Sequence, residues 1–174
     1  MSAAGWILLA GLALAFAAWR FGRYCESQHV TDWGAPWLNR LDGLNRIYCR
    51  WLHGLDDARI ALPPEGPAVL VSNHVSGADP LVLIAACDRP LRFVIAREQY
   101  DRWWGRWLFD AIGTIPVERT GRPERAFYAA RQALERAEVV AIFPEGGIRK
   151  AGKPVRLKRG AIVLARLALS LIHI

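Results

Sequence analysis

Hydrophobic and polar positions divide the chain into three stretches with different periods. From Ser2 to Trp19 no charged residue occurs. That length sits at the short end of what a membrane-spanning helix needs, about 20 apolar residues. Trp6 and Trp19 lie near its ends, where interfacial aromatics belong, and Arg20 and Arg23 follow at once. By the positive-inside rule these arginines keep the downstream residues at the cytoplasmic face, expected here to be that of a bacterial inner membrane. The reading is an uncleaved anchor over residues 1–24, spanning or re-entrant. A cleaved signal peptide competes through the small-residue run AFA, but no basic residue precedes the apolar stretch. Next, Trp33, Trp37, Leu41, Leu44, Tyr48, Trp51 and Leu55 recur every three or four positions. Asn39, Arg40, Asp42, Asn45, Arg46 and Arg50 fall largely between them. This predicts an amphipathic, aromatic-rich helix within residues 25–60, lying on a bilayer surface or packed on a protein core.

From residue 61 onward the pattern alternates. PAVLVS, LRFVIA, TIPVE and EVVAIF read as strands; PLVLIAACD, EQYDRWWGRWLFDAIG and PERAFYAARQALERA read as helices, and GAIVLARLA begins another. Alternation of this kind predicts a layered α/β fold over residues 61–174. Ligand sites in such folds lie at the carboxyl ends of strands. Three polar loops occupy those places: SNHVSGADP, PVERTGR and FPEGGIRK.

Composition narrows the partners. An apolar fraction of 53% and eight tryptophans lean toward membrane contact. The net charge of +7 favours an anionic partner: lipid headgroups, a phosphorylated substrate, an acidic carrier protein or nucleic acid. Neither an RNP motif nor zinc-finger spacing occurs, so lipid and phosphate rank above nucleic acid, which is not expected as a partner. Cys25, Cys49 and Cys87 are far apart and odd in number, which suits reduced packing thiols rather than disulfides or a metal site.

His74 follows a predicted strand, and a neutral imidazole there can take a proton from a hydroxyl if a partner fixes its tautomer. Asp79 can supply that partner if the loop folds back, with Gly77 and Ala78 leaving the turn open. Asp79 before Pro80 also reads as an ordinary helix N-cap with proline at the first helical position. Arg119 can hold a phosphate by a bidentate contact, or be a solvated surface charge. In FPEGG, two glycines follow Glu145, so backbone amides there can point at an anion. Glu145 itself repels phosphate and is better suited to orient Arg119 or a neighbouring donor. The basic run Arg149, Lys150, Lys153, Arg156, Lys158 and Arg159 then leads to Gly160 at a helix start, which suits phosphate or simple solvation. There is no G-x-S-x-G elbow, Walker A loop or dinucleotide fingerprint, and no second histidine is spaced to build a metal site with His74.

NHVSGAD, GTIPVER and FPEGG, in this order, resemble the blocks of the glycerolipid acyltransferase family (1-acylglycerol-3-phosphate and lysophospholipid acyltransferases), over roughly residues 66–168. The resemblance implies a layered α/β domain with a mixed sheet flanked by helices, preceded by a membrane-associated helical segment. It implies acyl transfer from acyl-CoA or acyl-carrier protein to the free hydroxyl of lysophosphatidate, in phospholipid biosynthesis. His74 would be the general base, oriented by Asp79, and the alkoxide would attack the thioester directly. Arg119, with the Glu145–Gly146 loop, would bind the acceptor phosphate. Asn73, Ser76, Gly113, Pro144, Gly147 and Lys158 are candidates for substrate contact or structural support. No cofactor or metal enters this scheme. Family members often carry Thr or Ser and then Arg after Pro-Glu-Gly; Gly147 and Ile148 stand there, with Arg149 one place later. That admits another lysolipid acceptor, such as acylglycerophosphoethanolamine. A non-catalytic lipid- or phosphate-binding protein on the same scaffold is the competing class. The family's fourth block, an apolar strand with prolines beyond the last helix, is missing. The final LSLIHI, residues 169–174, matches what a transposase sequencing adapter encodes in one frame. The natural frame is therefore expected to end near Ala168, leaving the domain incomplete at its C-terminus.

Overall fold

The structure, a computed structural model, describes residues 2–56, 59–118, 124–149, 157–167 and 171–173. The chain forms two compact units that divide between Asp57 and Ala58.

The first unit is a pair of helices. α1, Ala3–Gln28, is one unbroken helix, longer than the 24 residues expected for the anchor, with the Ser2 hydroxyl capping its N-terminus. It is long and apolar enough to cross a membrane, and its apolar window is entirely exposed. α2, Pro36–His53, starts on a proline, whose missing N–H costs nothing in the first turn, and stops at Gly54, which adopts a left-handed φ of 58°. The two helices touch at Gly43, where a Cβ would fall 1.7 Å from the Cys25 carbonyl oxygen.

Two charged residues of α2, Asp42 and Arg46, turn inward beside Leu38 and Cys49. Arg46 and Asp42 are 4% and 3% exposed. Arg46 Nε donates to Asp42 Oδ2 at 2.8 Å and Nη2 donates to Thr31 Oγ1 at 3.0 Å. Asp42 also accepts the Val30 amide at 3.1 Å, so the interhelical turn is held by charge-assisted bonds. The aromatic stripe faces out: Trp37, Leu41, Leu44, Tyr48 and Trp51 are all exposed. The expected basic solvent face is thus partly consumed inside the pair, and the apolar face is left to meet an apolar surrounding.

The second unit is a sheet of β1 (Ala68–Val71), β2 (Leu91–Ala96), β3 (Ile115–Val117), β4 (Val139–Ile142) and β5 (Leu171–His173). Its spatial order is β3-β2-β4-β1-β5. The sheet was expected to be mixed; every pairing among its described strands is parallel, since each connection is long enough for a crossover. The strands are nearly continuous apolar runs because both faces are covered. On one face Val69, Ile115 and Val140 pack with α6 (Glu124–Glu135) and α7 (Gly160–Leu167) through Ala126, Ala130, Leu134 and Leu164. On the other, Ala68, Leu70, Val139 and Ala141 pack with Leu62, Cys87, Leu91 and Phe93, and with Leu83 and Ile84 of α3 (Asp79–Ala86).

One predicted helix divides. EQYDRWWGRWLFDAIG becomes α4 (Arg97–Tyr100) and α5 (Arg106–Ala111), separated by a turn ending at Gly105. A Cβ at Gly105 would lie 3.0 Å from the Phe109 ring, so the close packing of that ring favours glycine, a poor helix former. The expected LSLIHI tail contributes β5 at the sheet edge beside β1.

Candidate active site

Strand order brings the polar loops together. β1, β4 and β2 are neighbours and parallel, so their carboxyl ends share one edge. The Ser72 amide extends the β1 ladder by donating to the Ile142 carbonyl at 3.2 Å, and the chain then leaves the sheet as Asn73–Ala78. The helix that follows is capped by Ala78, not by Asp79 as expected; Asp79 is its first residue and makes no cap bond. Its carboxylate turns back over the loop instead. Asp79 Oδ2 accepts Nδ1–H of His74 at 2.8 Å, the Val75 amide at 2.7 Å and the Ser76 amide at 2.8 Å. The Ser76 hydroxyl accepts the Ala78 amide at 3.2 Å, tightening the same turn.

Burial pushes the Asp79 carboxyl up, but the His74 hydrogen bond, the Ser76 and Val75 amides and electrostatic attraction from His74 outweigh it and hold the group below its ordinary value. An ionised carboxylate only accepts, so Nδ1 carries the proton and Nε2 presents its lone pair. Nε2 has no hydrogen-bond partner among the described residues.

The loop after β4 fixes the main chain of His74. Glu145 Oε2 accepts the His74 amide at 2.9 Å, and the His74 carbonyl accepts the Arg149 amide at 2.6 Å. Phe143 stacks on the imidazole with centroids 4.2 Å apart and planes 17° from parallel. Phe143 in turn stacks on buried Phe93 at 6.1 Å, so the ring of His74 is braced on the core.

Of the loop amides expected to point at an anion, that of Gly146 donates instead to the Phe143 carbonyl at 3.0 Å. Gly146 has φ 69°, and the Lys158 stem and ammonium pass 2.9 Å from where its Cβ would be. The Lys158 amide donates to the Pro144 carbonyl at 2.9 Å, so Pro144 and Gly146 seat Lys158 beside the loop. Gly113 is structural: with φ 68°, it leaves room for Arg92, whose Nη1 would otherwise meet its Cβ at 2.3 Å. Asn73 is exposed and Gly147 half-buried. Arg119 lies outside the described residues, as do Lys150, Lys153 and Arg156.

Arg97 was not singled out in the sequence. It stands directly after β2, at the same sheet edge, with its Nε buried and without a hydrogen-bond partner among the described residues. A guanidinium nitrogen in that state is costly unless an anion answers it. The usable signal was position: a cation immediately past the end of a predicted buried strand.

A parallel α/β sheet with a His–Asp pair and an arginine whose Nε is buried at its carboxyl edge defines the class of the second unit. The chain belongs to the Acyltransferase family, whose model matches residues 56–174. Among its relatives, human and bovine 1-acyl-sn-glycerol-3-phosphate acyltransferase alpha are each 33% identical over 168 residues, covering 92% of this chain and 55% and 54% of those proteins. The chain thus spans about half the length of the curated relatives it matches. The crystal structure of the 1-acyl-sn-glycerophosphate (LPA) acyltransferase PlsC from Thermotoga maritima has the same fold. It aligns with TM-score 0.60 and 18% identity over 79% of this chain and 56% of that one. The family expected from the three sequence blocks is therefore the family found.

Proposed function

We propose that the protein transfers a fatty acyl group from acyl-CoA or acyl-carrier protein to the free hydroxyl of lysophosphatidate. The observation that carries this is the His74–Asp79 pair, 2.8 Å apart, with Nε2 left to accept a proton. His74 Nε2 removes the hydroxyl proton while the alkoxide attacks the thioester carbonyl, and Asp79 stabilises the imidazolium that forms. Collapse of the tetrahedral intermediate breaks the C–S bond, and the thiolate leaves with the proton returned from His74. No enzyme nucleophile is acylated. Arg97, Arg119 and Lys158 supply the cations for the acceptor phosphate, while Glu145 acts on His74 rather than on phosphate.

The exposed apolar faces of α1 and α2 fit a lipid-borne acceptor reached from the bilayer, with Arg20 and Arg23 placing the second unit at the cytoplasmic face. Ile148 is exposed and apolar, in the place after Pro-Glu-Gly where the resemblance leads one to expect a polar residue, and this supports a second acceptor reading, a lysophospholipid with a larger headgroup. Labelled acyl-CoA offered with a panel of lysolipids to the purified chain in vesicles tests both. Transfer to lysophosphatidate in preference to acylglycerophosphoethanolamine supports the first reading. The reverse preference supports the second, and binding without transfer refutes catalysis.

A further inference from the structure

The turn between α4 and α5 has two unlike faces. Its inner side ties α5 back to α4: Leu108 and Phe109 are half-buried, Phe109 stacks on Tyr100 at 6.1 Å, and the Tyr100 hydroxyl donates to Asp110. Its outer side carries three tryptophans, with Trp103 89%, Trp104 54% and Trp107 57% exposed. The Trp107 indole N–H is satisfied by the Trp104 carbonyl at 2.8 Å, which holds these two residues together. Arg102 and Arg106 are interleaved and exposed. Arg106 is shared loosely with Asp101 and Asp110 at 3.8 and 3.9 Å, while Arg102 has no carboxylate partner among the described residues.

We infer that Arg102–Trp107 is a second bilayer contact, belonging to the catalytic unit itself and separate from α1 and α2. Outward tryptophans on a turn anchored from behind leave a large apolar area in water that a bilayer interface would cover. Indole rings suit headgroup depth, and the interleaved arginines suit anionic lipid phosphates, which a bare hydrophobic protein groove would not reward. The segment leaves the same sheet edge as Arg97 and His74, so seating it on lipid keeps that edge close to the membrane from which the acceptor comes. The inference rests on the lipid-acceptor reading above.

The test uses the full chain in phosphatidylcholine vesicles containing phosphatidylglycerol, with a polarity-sensitive fluorophore on Trp103→Cys or Trp104→Cys. Cys25, Cys49 and Cys87 are buried, and Gln132→Cys on exposed α6 serves as the aqueous control. On vesicle binding the labels at 103 and 104 should blue-shift, and nitroxide-bearing lipids should quench them, but neither should occur at 132. Labels at 103 and 104 quenched no more than that at 132 would overturn the inference. Acyl transfer is measured on the same vesicles. Transfer without quenching defeats the second contact and leaves the enzyme reading standing; quenching without transfer does the opposite.

Discussion

Glu145 is the residue at which a positioning role and a phosphate-binding role separate most cleanly. Its carboxylate accepts the His74 amide at 2.9 Å and is half-buried. Glu145→Ala leaves that amide without its acceptor, at a cost of about 1–3 kcal/mol. If the cost falls on the productive placement of His74, kcat drops by roughly 5- to 150-fold at 1.4 kcal/mol per decade, while KM for lysophosphatidate changes little. Glu145→Gln keeps a carbonyl acceptor of the same reach and should recover most of kcat. Initial rates of labelled acyl transfer, measured against acceptor concentration in vesicles, separate the two constants. A raised acceptor KM with kcat unchanged in Glu145→Ala would refute the argument and return Glu145 to the phosphate site, as would failure of Gln to rescue.

Four further outcomes follow from the same geometry. Arg97→Gln should raise the acceptor KM with a smaller effect on kcat, and a free phosphate-containing competitor should lose affinity in parallel; an unchanged KM would remove Arg97 from the acceptor site. Asp79→Asn keeps the size of the side chain but removes the charge that supports the imidazolium, so kcat should fall by about 10²- to 10⁴-fold in the same rate assay. Because the native Asp79 pKa is lowered, its ionised form adds stability above the ordinary aspartate value and loses it as pH falls through the lowered native value. The gap in melting temperature between wild type and Asp79→Asn should therefore be open at neutral pH and close on strong acidification. Gly113→Ala puts a side chain at φ 68° and against Arg92, whose guanidinium bonds Glu138 and the Ile112 carbonyl. A loss of about 1–3 kcal/mol, seen as a lower Tm, is expected, and an unshifted Tm would contradict it.

Much of the second unit could be read in the sequence because buried parallel strands are written as short apolar runs. PAVLVS, TIPVE and EVVAIF each contain the observed strand with one residue to spare at either end, and LRFVIA is β2 itself. Periodicity was less informative where it met tertiary packing. The Trp-rich run after β2 has helical spacing throughout, yet Gly105 and the Phe109 ring divide it. In α2 the spacing separates two faces but does not say which one faces protein; the Asp42–Arg46 pair and the near-contact at Gly43 turn part of the polar side inward, with Leu38 and Cys49. His74 and Asp79 were legible as a pair, whereas the bond from the His74 amide to Glu145 spans 71 positions and leaves no local trace. Arg97 escaped notice because the burial of its Nε without a partner among the described residues is a property of the fold, not of its neighbours in sequence.

The central claim is that His74 Nε2 takes the proton from the acceptor hydroxyl. Single-turnover acyl transfer from labelled acyl-CoA to lysophosphatidate, comparing wild type with His74→Ala and His74→Gln at matched folding by circular dichroism, tests it most directly. The account predicts a fall of about 10²- to 10⁴-fold or more in the transfer rate for both variants with acceptor binding retained. Transfer at the wild-type rate in either correctly folded variant would contradict it.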